Sequence, residues 1–177
     1  MKIRAVRSLA AFALVLLLPV LAAAGWDPAE SRKVERTIDA FKKKDSTLTA
    51  LFDKAYGYAV FPSVIKGAIG IGGAHGKGQV FRAGKLIGRA ALSQGSIGFQ
   101  LGGQSYSEIV FFQNEAVFDR FKSGNLKFAA QASAIAVTAG VAANVAYEKG
   151  VSVFTLGKMG LMFDASIGAQ HFSFKPN

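Results

Sequence analysis

The run GAIGIGGAHGKGQV, residues 67–80, is where residue types and spacing first suggest chemistry, because glycine-rich turns can cradle phosphates. A phosphate loop needs glycine, four residues, then Gly-Lys-Ser/Thr. Around Gly76-Lys77 the first position is Ile71 and the last is Gly78, so the metal-binding hydroxyl is missing. Gly70-Ile71-Gly72 opens like a dinucleotide fingerprint, but its third glycine position is His75 and no helix start follows. Without a helix N-terminus, an anion would lack free amides and a dipole. A nucleophile elbow also fails, since Gly103-Gln104-Ser105-Tyr106 ends in Ser107 where glycine is required. His75 and His171 stand 96 positions apart, and no acid falls between Asp53 and Glu108. After Asp53 the carboxylates are Glu108, Glu115, Asp119, Glu148 and Asp164, with no pair at a recognisable catalytic spacing. There is no cysteine for a thiol nucleophile or a thiolate-held metal. The reading is therefore non-catalytic, with no metal and no cofactor.

What the chain does carry is cations. Its 21 Lys and Arg against 11 Asp and Glu give a net charge of +10. From residue 54 to 107 there are Lys54, Lys66, Lys77, Arg82, Lys85 and Arg89 and no acid. Twelve of the 20 glycines fall between 67 and 103, inside that stretch. Glycine, apolar residues and unopposed cations make a plausible anion-binding surface. Nucleic-acid readers interleave basic and aromatic residues densely. This stretch does not, so anionic phospholipid membrane is the expected partner and nucleic acid is not. The competing reading is a structural protein of the cell envelope that binds a protein partner through its sheet.

Lys2, Arg4 and Arg7 precede an apolar run from Leu9 to Leu21 and then Ala22-Ala23-Ala24. That is a secretory-signal pattern, with cleavage expected near Ala24 and export to the periplasm or outer envelope. Domains are accordingly expected as 1–24 signal and 25–177 one domain, helical over 25–57 and mainly β over 58–177, with a helix near 114–123. Removing the signal lowers the charge to +7, all of it beyond residue 53.

Asp27-Pro28-Ala29-Glu30 reads as a helix start, and Val34, Ile38 and Phe41 share one apolar stripe. Arg32, Arg36 and Lys43 fall opposite it, on a face that either meets solvent or meets an anionic membrane. A second helix is expected from a Ser46 cap to Gly57. Tyr58–Pro62 reads as a short strand stopped by proline, and 82–85 as a hairpin turn. Asn114 caps a third helix that stops at Ser123-Gly124. Short strands are expected at 126–138, 151–156, 159–169 and 172–174. Residues 129–147 fit either small-residue strands or an Ala-rich buried helix. The class is α+β: N-terminal helices packed on a curved, Gly-rich antiparallel sheet whose curvature approaches a barrel.

Several uncommon blocks recur in order. They are AYGYAVFPSVIKG from Ala55, GIGGAHGKGQV from Gly70, QLGGQSYSEIVFF from Gln100, Phe121-Lys-Ser-Gly, and KMGLMFDASIGAQ from Lys158. Together they resemble the SYLF family, also called Ysc84 or DUF500, across nearly the entire chain after residue 24. The resemblance implies a non-catalytic lipid-binding module, reading phosphoinositides in eukaryotic members and other anionic phospholipids in secreted bacterial ones. It implies a head-group role for Lys66 and Lys77 and a membrane role for the helix bearing Arg32, Arg36 and Lys43. Gln131 stands where many eukaryotic members have aspartate, so a function resting on that acid is not implied. With the charge pattern, the expected lipid-binding set is Lys66, Lys77, Arg82, Lys85, Arg89, Arg32, Arg36 and Lys43.

Overall fold

The computed structural model describes residues 28–126 and 134–177, with backbone alone at 70, 98–100, 134 and 159–168. The expected signal segment, the Asp27 cap and Gln131 lie outside the described residues. Two helices, α1 (Pro28–Lys44) and α2 (Leu48–Lys54), precede two long strands, β1 (Gly57–Arg82) and β2 (Lys85–Phe112). Then come α3 (Glu115–Lys122), the short β3 (Ala134–Ala136), a 3-10 turn (Val141–Asn144) and β4 (Val151–Pro176). The sheet order is β1-β2-β4-β3, antiparallel except for β3 beside β4. The α+β class stands, but β1 and β3 are edges and the sheet does not close into a barrel.

α1 forms as its stripe predicts: Val34 and Phe41 are buried, Ile38 is half-buried, and Arg32, Arg36 and Lys43 are exposed. Its last turn carries Lys42, Lys43 and Lys44, which suit the negative end of the helix dipole. Asp45, not Ser46, organises the turn into α2. Its Oδ1 accepts from the Thr47 amide at 3.0 Å and the Thr47 hydroxyl at 2.6 Å, while Oδ2 accepts from the Ala142 amide at 2.8 Å. Burial pushes the Asp45 carboxyl up, but these donors together hold it below the usual carboxylate range. α2 ends at Lys54 rather than Gly57, because Gly57 and Tyr58 already pair with Phe112 and Phe111.

The long strands depart most from expectation. Pro62 does not stop β1, which is an edge strand, where a missing amide donor is tolerated, and the register shifts between Phe61 and Val64. A straight 26-residue strand would run on the order of 85 Å at about 3.3 Å per residue. β1 instead doubles back near Ile69. A Cβ on Gly78 would collide with the Val60 carbonyl oxygen, and one on Gly76 would lie 2.8 Å from Val64 Cγ2. β2 and β4 follow, because they stay paired with β1 and with each other along both halves. The separate strands expected at 151–156, 159–169 and 172–174 are therefore one bent element. Residues 82–85 make the expected turn, with φ positive at both Ala83 and Gly84, as a two-residue type I′ hairpin requires.

Folding the sheet over gives it an inner face that packs on itself. Phe61 of one arm lies 5.8 Å from Phe172 of the other, ring centre to ring centre, and α3 closes the side with Val117, Phe118 and Phe121. The outer face near the helices holds a second cluster: Tyr58, Val60, Ile109, Phe111 and Phe154 under α1, α2 and Val137–Ala142. The 129–147 region is neither a strand throughout nor a buried helix: among described residues it is a three-residue strand and one 3-10 turn. α3 is capped as expected, Asn114 Oδ1 accepting from the Val117 amide at 3.1 Å.

Candidate functional site

Alternation along β1 decides which cations can meet a partner. Val64, Lys66, Ala74, Gly76 and Gly78 point inward and are buried, whereas Ile65, Ile69, Ile71, His75 and Lys77 point outward and are exposed. Lys66, expected at a head group, thus sits on the inner face at 3% exposure and cannot reach a bilayer in this conformation. It shares that interior with Gln94, Ser96, Glu108 and Gln170, all buried.

Glu108 is the most perturbed group there. Gln170 Nε2 donates to its Oε2 at 2.9 Å, yet full burial pushes the carboxyl up to about 7. Nothing described lies at hydrogen-bond distance from Glu108 Oε1, Gln170 Oε1 or Gln94 Nε2. A protonated acid fits this enclosure better than a carboxylate. Among the described residues, no three His, Asp or Glu gather in a metal-binding group.

The outer face of the bent sheet is ordered in rows across β1, β2 and β4. Gln79, Arg89 and Lys175 make one; Lys77, Ala91 and Ser173 the next; then His75, Ser93 and His171; then Gly73, Gly95 and Ala169. Beyond them Ile71 pairs with Ile97, and Ile69 with Leu101. The two histidines, 96 positions apart in sequence, therefore flank one serine in the same row.

A groove of about 620 Å³ opens on the cationic rows, lined by Lys77, Arg89, Lys175 and Glu30 with the backbone around Gly78 and Ala90. A second, about 400 Å³, lies between the start of α1 and β1 and is lined by Lys33, Lys77, His75, Ile65 and Glu30. Glu30 is the one acid in either lining, and it stands 3.8 Å from Arg89 Nε. Lys77, Lys33 and Lys175 are exposed.

The structure brings only part of the expected set together. Lys77 and Arg89 share a groove. Arg82 lies at the hairpin turn, 3.9 Å from Glu115 and stacked over the Tyr56 ring at 4.8 Å, while Tyr56 donates to Glu115 at 2.7 Å. Lys85 is exposed across the same turn. Arg32, Arg36 and Lys43 stay on the outer face of α1. Sequence reasoning missed Lys33 and Lys175. Lys33 reads as a flank of the apolar stripe, and Lys175 joins Arg89 only through strand register.

Residues 93–175 match the family model described as Ysc84, Las17-binding protein actin regulator. This part of the chain is similar to the Ysc84/SYLF family. SYLF domains are associated with lipid binding and are in general non-catalytic binding domains. The matched segment starts in the histidine row and holds the rest of β2, α3 and β4. The blocks from Ala55 and Gly70 lie before it. The chain is also 28% identical, over 134 residues, to Beta cell expansion factor A of Aeromonas veronii. That similarity takes in 69% of this chain and 47% of the relative, so the chain spans about half the length of the curated relative it matches.

Proposed function

We propose that this protein binds anionic phospholipid at a bacterial envelope membrane, without catalysing a reaction, after export and cleavage near Ala24. The observation that carries this reading is the convergence of Lys33, Lys77, Arg89 and Lys175 on one outer surface, with Glu30 the lone acid lining its grooves. Each Lys or Arg near an anionic bilayer contributes about 1 kcal/mol, so the three exposed lysines together favour such a bilayer roughly 100-fold over a neutral one. The family's association with lipid binding supports the same partner. The open, shallow grooves suit head groups better than a small molecule enclosed on most sides. Arg32, Arg36 and Lys43 on α1 are a second set available to the same membrane.

Vesicle sedimentation tests it. Phosphatidylglycerol-containing vesicles should retain the protein at low salt and release most of it as ionic strength rises. Equal retention by phosphatidylcholine vesicles would defeat the proposal. The second reading, an envelope interaction protein, has in its favour that β1 is an edge strand and so offers a backbone to a partner strand. A defined one-to-one protein complex with no vesicle retention would favour it.

A further inference from the structure

All the large apolar side chains that are exposed among the described residues lie on one surface. They are Ile65, Ile69, Ile71, Ile97 and Leu101, between 61 and 84% exposed. They occupy the outer face of the bend, where β1 turns back on itself. Ile71 is cross-strand to Ile97 and Ile69 to Leu101, so they form a continuous patch rather than scattered positions. By register, residues 167 and 163 of β4 extend these two rows. No charged residue occurs between Lys66 and His75 on β1 or between Arg89 and Glu108 on β2. Contiguous exposed apolar surface on a soluble chain marks an interaction site.

The surroundings of the patch select its occupant. Ile65 lines the same groove as Lys33 and Lys77, so cations border the apolar surface directly. Two copies joined through this patch by a twofold axis would bring those same-sign borders toward each other. An anionic bilayer meets both parts at once, with phosphate at the cations and acyl chains at the isoleucines. The bend also suits insertion mechanically. Cβ atoms on Gly67 and Gly95 would meet nothing, so the outer face is open at these positions.

We propose that this bent tip inserts the outer-face side chains Ile65, Ile69, Ile71, Ile97 and Leu101 into the hydrocarbon boundary of an anionic bilayer, with Lys33 and Lys77 held in the head-group layer. This rests on the membrane-binding reading above and adds that the contact is apolar as well as electrostatic. Part of the binding therefore survives salt, and the tip lies deeper than the hairpin turn at the other end of the arms.

Because the chain has no cysteine, single-cysteine variants carry one dye each. An environment-sensitive fluorophore on Ile71→Cys should shift to the blue on phosphatidylglycerol vesicles and be quenched by acyl-chain bromines. The same dye on Lys85→Cys should do neither. The double variant Ile69→Asp/Ile71→Asp alters only exposed positions and should keep the circular dichroism of the wild type. It should lower partitioning about 30-fold and leave only a salt-sensitive remainder. Vesicle binding with the dye at position 71 still in water would overturn insertion and leave the electrostatic reading standing. A wild-type dimer that the double variant abolishes, with vesicle binding unchanged, would overturn it in favour of a second copy. No binding to any vesicle would overturn both.

Discussion

The two ends of the folded sheet use glycine for opposite reasons. In the arms, Gly76 and Gly78 let one half of β1 lie against the other, with no room for a Cβ. At the tip, Gly67 and Gly95 face open space, and Ile69, Ile71 and Ile97 near them are exposed. The arms are a close-packed core with cations on its outside; the tip presents exposed apolar side chains on its outer face. One composition thus serves packing at one end and, in the proposal above, insertion at the other.

Substitution at the glycines attacks this contrast most strongly. Gly78→Ala forces a Cβ into the Val60 carbonyl, a rigid backbone atom, and should destabilise the protein by about 3 kcal/mol in urea unfolding. A change within experimental error would mean that the arms are not tightly packed. The interior of the arms gives the next effect. Burial raises the Glu108 carboxyl to about 7 in the folded protein, against about 4.5 for the solvated side chain of an unfolded chain. The folded state therefore binds more protons between those values, and stability is greatest below pH 4.5 and falls as pH rises to about 7. Glu108→Gln should remove that slope, adding about 3 kcal/mol at pH 8 and nothing at pH 4. Unfolding curves at the two pH values check it, and an unchanged slope would place the titration elsewhere.

The outer face gives a smaller effect, on binding rather than folding. Lys77→Gln should weaken retention on anionic vesicles about fivefold, near 1 kcal/mol, with no change in unfolding midpoint. A loss of stability instead would make Lys77 structural. The smallest change belongs to the tip. Gly95→Ala meets no neighbour and should shift stability by no more than about 0.5 kcal/mol, in sharp contrast to Gly78→Ala. Equal costs at the two positions would erase the distinction between arms and tip.

Local chemistry made the small elements legible in the sequence. The α1 stripe, the Asn114 cap and the turn at 82–85 each depend on residues a few positions apart, and each formed as read. The bend did not show itself. Pro62 looks like a stop only until β1 is known to be an edge, and no short-range signal joins Phe61 to Phe172. The same limit divided the candidate site. Lys77 stands out in the sequence because an acid-free stretch is visible in composition. Lys66 belongs to the same acid-free stretch, but composition cannot say which face of a strand is inward once a register shift at Pro62 resets the alternation. Lys175 and the exposed isoleucines needed the register of three strands. Ile69 and Ile71 in sequence look like core residues of a half-buried strand.

The most direct test is a salt titration of wild-type retention on phosphatidylglycerol-containing and pure phosphatidylcholine vesicles. The account predicts strong retention on anionic vesicles at low salt, falling with ionic strength to a non-zero plateau, and little retention on neutral vesicles throughout. Salt-independent retention that is equal on both vesicle types would contradict it.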